Sequence, residues 1–253
     1  LLVSSAASDV YKRQLYKLSG IKVIVMHCGD DVRYRPMHNK LFPHNFLPIE
    51  CSELRSKKYF LSKLITQKTG ELFSSYLLSS RERATFLNKD CYEWSLPMVI
   101  SLKKAKKPSR VITILHAPSN RANKGTDDTV LPAIAELKKE GYKFEFVLLE
   151  NKSNKEVLDY LEKADICIDQ PYVIIGSLAR EALVRGCLLI SMIKKNDNLD
   201  VPHLPFERGD IELMKKNIRG ALDDRNFLIG CMEDSFNYAT VSYTHLRAHE
   251  TNQ

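Results

Sequence analysis

Residues 111–193 alternate apolar runs with polar loops and amphipathic segments, an order that few folds can accommodate. Each strand-like run, such as VITILH or FEFVLL, leads into a polar loop and then into a segment whose apolar residues have helical spacing. Strand, loop and helix repeated in this order are typical of a parallel α/β domain. The sequence predicts strands near 110–116, 143–149, 165–168 and 187–193, and helices near 126–140, 154–163, 177–185, 209–223 and 225–239.

The loop HAPSNRANKG, residues 116–125, follows the first of these strands and precedes a helix. A helix start presents free N–H groups and the positive end of a dipole, which favour an anion. Arg121 offers a forked set of donors and Lys124 a point charge, both suited to a diphosphate, and Gly125 closes the loop. Because ligands of parallel sheets bind at the carboxyl ends of strands, the loop is predicted to bind phosphate. The alternative is a solvated loop with two ordinary basic residues.

A second loop, in YVIIGSLAREALVRG at residues 172–186, has the complementary chemistry. Gly176 permits close backbone approach, and the helix that opens at Ser177 can receive a phosphate. Glu181 lies about one turn into this helix, where a carboxylate can accept hydrogen bonds from two ribose hydroxyls. The alternative is an ordinary helix acid in a favourable dipole position. Together the two loops predict a phosphate-bearing ligand with a ribose.

Composition narrows the classes of partner. The net charge of +7 suits an anionic ligand or an anionic membrane surface and does not choose between them. The charge is spread out without an aromatic-basic motif, which argues against nucleic acid. Six scattered cysteines without a CxxC pair indicate a reduced, cytoplasmic protein with no disulfide and no metal site. No apolar run reaches the roughly 20 residues of a membrane span, so any membrane contact is predicted to be peripheral.

The amino-terminal part also has the pattern of an α/β domain. Residues 21–27 are predicted to form a buried strand, residues 53–68 a basic amphipathic helix, and residues 71–80 a further strand before a short helix at 81–88. The apolar side of the basic helix comprises Leu54, Leu61, Leu64 and Ile65. Its basic side could touch anionic lipid, and the alternative is an ordinary solvated face.

The two chain ends can be encoded by inverted copies of one nucleotide sequence. DVYKRQ at residues 9–14 can be encoded by GATGTGTATAAGAGACAG, and the reverse complement of that string encodes VSYTH, which stands at residues 241–245. Inverted copies at both ends resemble translated library adapters. Residues 1–14 and 241–253 are therefore predicted to be adapter-derived rather than natural tails.

Three segments of the second half resemble family-4 (group 1) glycosyltransferases. REALVRGCLLIS is similar to that family's LEAMACGxPVI segment, and ADICIDQ is similar to its ADVFVxPS segment. NKGTDDTVLPAIAELKKEGYKFEFVLLEN is similar to the KGxDxLIxAxxxL stretch and the strand after it. The resemblance covers nearly all of residues 108–225. It implies an α/β fold with two Rossmann-like domains of the GT-B type, the amino-terminal one incomplete.

The resemblance also implies a division of the chain. An incomplete acceptor-side domain would occupy residues 15–102, a linker 103–109, and a donor-binding domain for a nucleotide sugar 110–240. In the family pattern, Lys124 would carry the donor diphosphate with help from Arg121. Backbone contacts to phosphate would come from the second loop, at Gly176 and Ser177, and Glu181 would bind the ribose.

The sequence departs from the family pattern at two positions. The family has a glutamate eight residues before the position of Glu181, where this chain has Val173. The usual arginine, five residues before Lys124, is replaced by Ser119.

A third polar segment, MHCGDDVRYR at residues 26–35, resembles the H-x-G-x-D-x-R end of an amino-domain strand in the same enzymes. His27 and Asp30 are the predicted catalytic residues, which would position or deprotonate an acceptor hydroxyl. Asp31 and Arg33 lie in the same segment. A histidine at a strand end is more often a structural hydrogen-bonding group, and this alternative stays open.

The predicted function is transfer of a hexose from a nucleotide-diphosphate sugar to an acceptor hydroxyl, without a metal and without a further cofactor. The family implies retention of configuration and an acceptor that is a cell-surface glycan or a lipid-linked precursor. Catalysis is expected of the intact parent rather than of this fragment. Two alternatives remain: a nucleotide-sugar epimerase of the same fold, and a non-catalytic nucleotide-sugar-binding protein, which Val173 keeps open.

Overall fold

The chain folds into two compact units, Leu1–Leu96 and Pro97–Gln253. The computed structural model describes residues 8–27, 31–41, 56–79, 84–93, 105–171, 176–192 and 201–250. Each unit has its own parallel sheet. The segment predicted as a linker, 103–109, falls within the second unit, where Lys106 Nζ donates a hydrogen bond to the carbonyl oxygen of Leu161 at 3.2 Å.

The first unit has a sheet in the order β1-β2-β3. Its described helices and strands are α1 Ser8–Leu18, β1 Ile24–Met26, α2 Arg35–Leu41, α3 Lys57–Phe73, β2 Tyr76–Ser79 and β3 Tyr92–Glu93. Val25 pairs with Leu77 across the sheet, and both are buried. Ile24 is exposed, so β1 is buried on one face only rather than throughout as predicted. Leu61 and Ile65, predicted for the apolar side of α3, are also exposed.

Helix α3 ends five residues later than predicted and occupies the start of the strand expected at 71–80. It continues to Phe73, so the strand begins only at Tyr76. Glu71 accepts a hydrogen bond from Gln67 Nε2 at 2.8 Å, one helical turn earlier. Such pairs four residues apart stabilise a helix, which explains why the last turn of α3 forms.

The second unit has a four-stranded sheet in the order β5-β4-β6-β7, with every strand parallel to its neighbours. Its strands are β4 Thr113–His116, β5 Glu145–Leu148, β6 Ile166–Ile168 and β7 Leu188–Ile190. Its α-helices are α4 Leu131–Lys139, α5 Asn154–Leu161, α6 Ser177–Val184, α7 Ile211–Asp223 and α8 Arg225–Glu250. These elements confirm the predicted alternation of strands and helices to within a few residues.

Apolar side chains cover both faces of this sheet. Ile166 and Ile168 of β6 pack in one cluster with residues of α4, α7 and α8, such as Leu137 and Ile218. Cys167, between them, packs in the second cluster with residues of α5 and α6. A sheet buried on both faces needs continuous apolar strands, and this is why these runs in the sequence show no polar alternation.

The helix predicted at 126–140 begins with a π-helical turn, Thr126–Val130, before it continues as α4. The Val130 N–H donates to the carbonyl oxygen of Gly125, five residues back, at 3.1 Å. Pro132, near the start of α4, has no N–H to donate into the preceding turn. The wider turn is therefore formed where an α-helical hydrogen bond is missing, which is a common setting for a π-helical turn.

Helix α8 confirms the predicted helix at 225–239 and extends to Glu250. Its side chains Leu228 and Met232 are fully buried in the core of the second unit. Of the helices that the structure describes, none is both long enough and apolar enough to cross a bilayer.

Candidate functional site

His116 ends β4 and is fully buried. Its Nδ1 atom donates to the carbonyl oxygen of Ile168, at the end of β6, at 2.8 Å. The other ring nitrogen, Nε2, therefore accepts a hydrogen bond from the Thr126 hydroxyl at 2.8 Å. Burial lowers the pKa of His116 to about 4, so the ring is neutral at pH 7. The ring fixes both ends of the loop 117–125, because it joins the end of β4 to the helix that follows.

Lys124 lies in this loop and is directed towards the residues that follow β6. Its Nζ atom donates to Asp169 Oδ1 at 2.5 Å and to Gln170 Oε1 at 2.7 Å. The side chain of Lys124 is 13% exposed and that of Asp169 is 0% exposed, so this is a buried salt bridge. An ammonium group has three N–H donors, and two of them have acceptors among the described residues.

Asp169 is a site residue that was not predicted from the sequence. Its Oδ1 atom binds Lys124, and its Oδ2 atom lies against Gly176, where an added Cβ atom would be only 2.7 Å away. The structure thus brings Lys124 and Gly176, predicted from separate loops, to the two oxygens of one carboxylate. The signal that could have found it is a polar Asp-Gln pair directly after the buried run ICI.

Arg121 is directed towards the opposite neighbour of β4. Its Nε atom donates to both carboxylate oxygens of Asp127 at 3.0 Å, and its Nη1 atom donates to Glu150, just beyond β5, at 2.9 Å. The hydrogen bonds that Arg121 donates to Asp127, and then to Glu150, raise the pKa of Arg121, which stays charged. The structure therefore does not aim Arg121 and Lys124 at one point, although both were predicted to bind the diphosphate.

The start of α6 contributes backbone groups to the same region as Asp169. Gly176 is the residue before the helix and has no side chain with which to cap the N–H groups that follow. Ser177 is the first helical residue and is exposed. Glu181, predicted to bind a ribose, forms an ion pair with Arg185 one turn further along α6. Arg185 also pairs with Glu162, at 2.9 Å, so two carboxylates share one guanidinium group.

Gly125 has a left-handed backbone conformation, with φ at +64°, immediately before the π-helical turn. A Cβ atom here would lie 3.1 Å from Cζ of Phe206, whose ring is fully buried. We expect Gly125→Ala to lower the free energy of unfolding by roughly 2 kcal/mol, since backbone strain and overpacking add. Chemical denaturation would measure this loss.

Gly141 is the matched control for this substitution. Its φ is +92°, and an added Cβ atom would meet nothing within 4 Å. Gly141→Ala should therefore show only the backbone part of the loss, roughly 1 kcal/mol. Equal losses for the two variants would contradict the packing role of Gly125.

His27, in the first unit, lies directly after β1 and is 2% exposed. Its Nδ1 atom is 3.1 Å from Asp31 Oδ2, and its Nε2 atom faces Gly70 of α3, where a Cβ atom would be 2.8 Å away. The structure thus pairs His27 with Asp31 beneath α3. Asp30 lies outside the described residues, as does Val173, and the catalytic role of His27 and Asp30 stays a prediction.

The described cysteines, Cys91, Cys167, Cys187 and Cys231, are free thiols. Burial raises the pKa of Cys167 and of Cys187, so neither thiol forms a nucleophilic thiolate at neutral pH. Within the ranges that the structure describes, no three side chains of His, Cys, Asp or Glu are grouped to hold a metal ion.

Comparison with known proteins identifies the fold. No protein-family profile and no curated protein sequence matches the chain. The structure of Anabaena HepE in complex with UDP-glucose matches with a TM-score of 0.63 and 11% identity, covering 96% of this chain and 75% of that one. A sucrose-phosphate synthase from Thermosynechococcus elongatus matches with a TM-score of 0.62 and 9% identity, covering 90% of this chain and 65% of that one.

At such low identities the likeness shows the fold and nothing further. The chain has an α/β fold of the GT-B type with two Rossmann-like units, as the sequence predicted. In the second unit, Lys124, Asp169 and Gly176 lie where the carboxyl ends of β4 and β6 meet the start of α6. This is the place at which a Rossmann-like sheet binds ligands.

Proposed function

We propose that the second unit binds a nucleotide-diphosphate sugar and that the intact protein transfers the sugar to an acceptor hydroxyl. The observation that carries this proposal is the buried Lys124–Asp169 pair beside the uncapped start of α6. A cation and a helix N-terminus at adjacent parallel strand ends favour a phosphate group. The buried carboxylate of Asp169 lies between them and can only accept hydrogen bonds, so the proposed ligand would also carry a hydrogen-bond donor besides its phosphate.

The leaving diphosphate would be stabilised by groups that are already in place. Lys124 has one N–H left after Asp169 and Gln170 are bound, and the start of α6 adds backbone N–H groups and the helix dipole. Preorganised donors stabilise developing negative charge without reorganising at the moment of reaction. This chemistry needs no metal, and we propose metal-independent transfer.

Arg121 would join the site by exchanging partners. The side chains of its two partners, Asp127 and Glu150, are 61% and 36% exposed. Exposed ion pairs are worth only about 0–1 kcal/mol, so a diphosphate can displace them at little cost. The buried pair of Lys124 does not exchange in this way. We therefore assign Lys124 a fixed role and Arg121 a recruitable one.

The nature of the ligand is supported by proteins of the same fold. HepE was crystallised with UDP-glucose, and also with UDP and glucose. The family resemblance of the sequence points to the same ligand class and to a retaining hexosyltransferase that acts on a glycan or lipid-linked acceptor. In this proposal Glu181 leaves Arg185 and accepts hydrogen bonds from the ribose hydroxyls.

Calorimetric titration of the full chain with UDP-glucose, ADP-glucose and GDP-glucose tests the proposal. We expect one of these ligands to bind and Glu181→Gln to weaken its binding about tenfold, because hydrogen bonds to a carboxylate are lost. Glu162→Gln is the control, since it removes the other carboxylate partner of Arg185 and should change the affinity less than about twofold.

Absence of binding by all three nucleotide sugars would refute the proposed ligand, and equal effects of the two glutamate substitutions would refute the role of Glu181. Transfer is then followed with an acceptor present and absent. Release of UDP that does not depend on any acceptor would favour an epimerase instead.

A further inference from the structure

The two oxygens of Asp169 have different environments. Oδ1 accepts a hydrogen bond from Lys124, whereas Oδ2 is buried and has no hydrogen-bond partner among the described residues. The backbone N–H of Asp169 is itself paired, with the carbonyl oxygen of Ile190 at 3.0 Å. Asp169 is therefore held in place by its backbone and by Oδ1, whereas Oδ2 has no donor among the described residues.

A buried acceptor without a donor is costly. Leaving such a group unpaired costs about 1–3 kcal/mol, and more when the group is charged. A carboxylate accepts hydrogen bonds and donates none, so a phosphate oxygen cannot pair with it. A hydroxyl group of a ligand can.

The position of Oδ2 says which part of a ligand it would meet. An added Cβ atom at Gly176, at the start of α6, would lie 2.7 Å from Oδ2, and the other oxygen of the same carboxylate holds Lys124. Both neighbours are groups to which we assign phosphate contacts. The hydroxyl that reaches Oδ2 must therefore be close to a phosphate in the ligand.

We propose that Asp169 Oδ2 accepts a hydrogen bond from a hydroxyl group of the donor sugar, and that this makes the site select nucleotide-diphosphate sugars over the bare nucleotide diphosphate. The inference rests on the proposed function, and it assigns to Asp169 the contact that distinguishes the sugar. Glycine at position 176 is needed for the same reason, because any larger residue would place its Cβ atom against Oδ2.

Asp169→Asn is the sharpest test. The amide oxygen can still accept from Lys124, but an NH2 donor then stands in place of Oδ2. In calorimetric titrations of the full chain, we expect the affinity for UDP-glucose to fall about tenfold or more while the affinity for UDP stays within about threefold or rises. Equal losses for both ligands would overturn the proposal, since Asp169 would then only position Lys124.

Gln170→Leu is the matched control. It removes the other acceptor of Lys124, at 2.7 Å, and leaves Oδ2 untouched. Its effects on UDP and on UDP-glucose should therefore be equal. A selective loss of UDP-glucose binding in this variant would also contradict the role of Asp169.

A measurement on the unaltered chain keeps the proposal testable if Asp169→Asn does not fold. Among analogues of UDP-glucose that each lack one sugar hydroxyl, one should bind about tenfold more weakly than the parent. If UDP-glucose binds and every analogue binds equally well, the inference is wrong and the proposed function stands. If another of the three nucleotide sugars binds instead of UDP-glucose, the same comparisons are made with that sugar and its nucleotide diphosphate. If none of UDP-glucose, ADP-glucose and GDP-glucose binds, the proposed function fails and the inference fails with it.

Discussion

Replacing Lys124 with alanine is expected to lower the free energy of unfolding by roughly 3 kcal/mol, as well as removing phosphate binding. The substitution leaves the fully buried carboxylate of Asp169 without its cation. Removing one partner of a buried ion pair is far more costly than removing both, because an uncompensated charge remains in the interior. Denaturant titration monitored by circular dichroism would measure the loss.

The double variant Lys124→Ala/Asp169→Ala separates charge burial from lost packing. It should be more stable than Lys124→Ala alone, since neither charge remains. Lys152→Ala is a surface control, because Lys152 pairs with Glu156 and both side chains are nearly half exposed. The unfolding midpoint of this variant should hardly differ from that of the wild type. A double variant no more stable than the single one would show that Asp169 does not depend on Lys124.

Acid is expected to destabilise the second unit through His116. Burial lowers the pKa of this histidine from 6.5 to about 4 in the folded protein. Between these values the unfolded chain binds a proton that the folded chain does not, so stability falls as the pH falls. At about 1.4 kcal/mol per pKa unit, the loss from this residue is on the order of 3 kcal/mol. The loss of stability is complete near pH 4, and the full stabilising contribution of neutral His116 is present above pH 6.5.

The comparison of wild type with His116→Gln isolates this contribution from that of the carboxylates. Glutamine does not titrate, so the stability difference between the two proteins should shrink by roughly 3 kcal/mol between pH 7.5 and pH 4. Denaturation at several pH values over this range gives the difference directly. A difference that stays constant with pH would mean that His116 takes up its proton equally in the folded and unfolded states.

The elements of the second unit could be predicted because their determinants are local in the sequence. The run ICI is apolar and ends at Asp169, so both the strand and its end are visible in the sequence. In the first unit the predicted end of α3 was wrong. The last turn of this helix is stabilised by contacts such as that of Gln67 with Glu71, whereas the composition of residues 71–80 is typical of a strand. The π-helical turn was not predicted, although Pro132 marks its place.

The candidate site was predicted only in part, because the partner of a charged side chain depends on strand order. Lys124 meets Asp169 since β4 lies beside β6, and Arg121 meets Glu150 since β4 lies beside β5 on the other side. These distances along the chain are 45 and 29 residues, and no local pattern encodes them. Glu181 is the opposite case, because Arg185 lies four residues further along the same helix and this spacing is visible in the sequence.

The π-helical turn at Thr126–Val130 sets the angle between the loop 117–125 and the core. Such a turn holds one residue more than an α-helical turn, and each residue of an α-helix advances about 100° around the axis. Deleting one residue here would leave a regular helix, but it would swing Lys124 about 100° relative to the buried face of α4. One residue therefore keeps the ammonium group in register with β6 while Ile134 and Leu137 stay in the core.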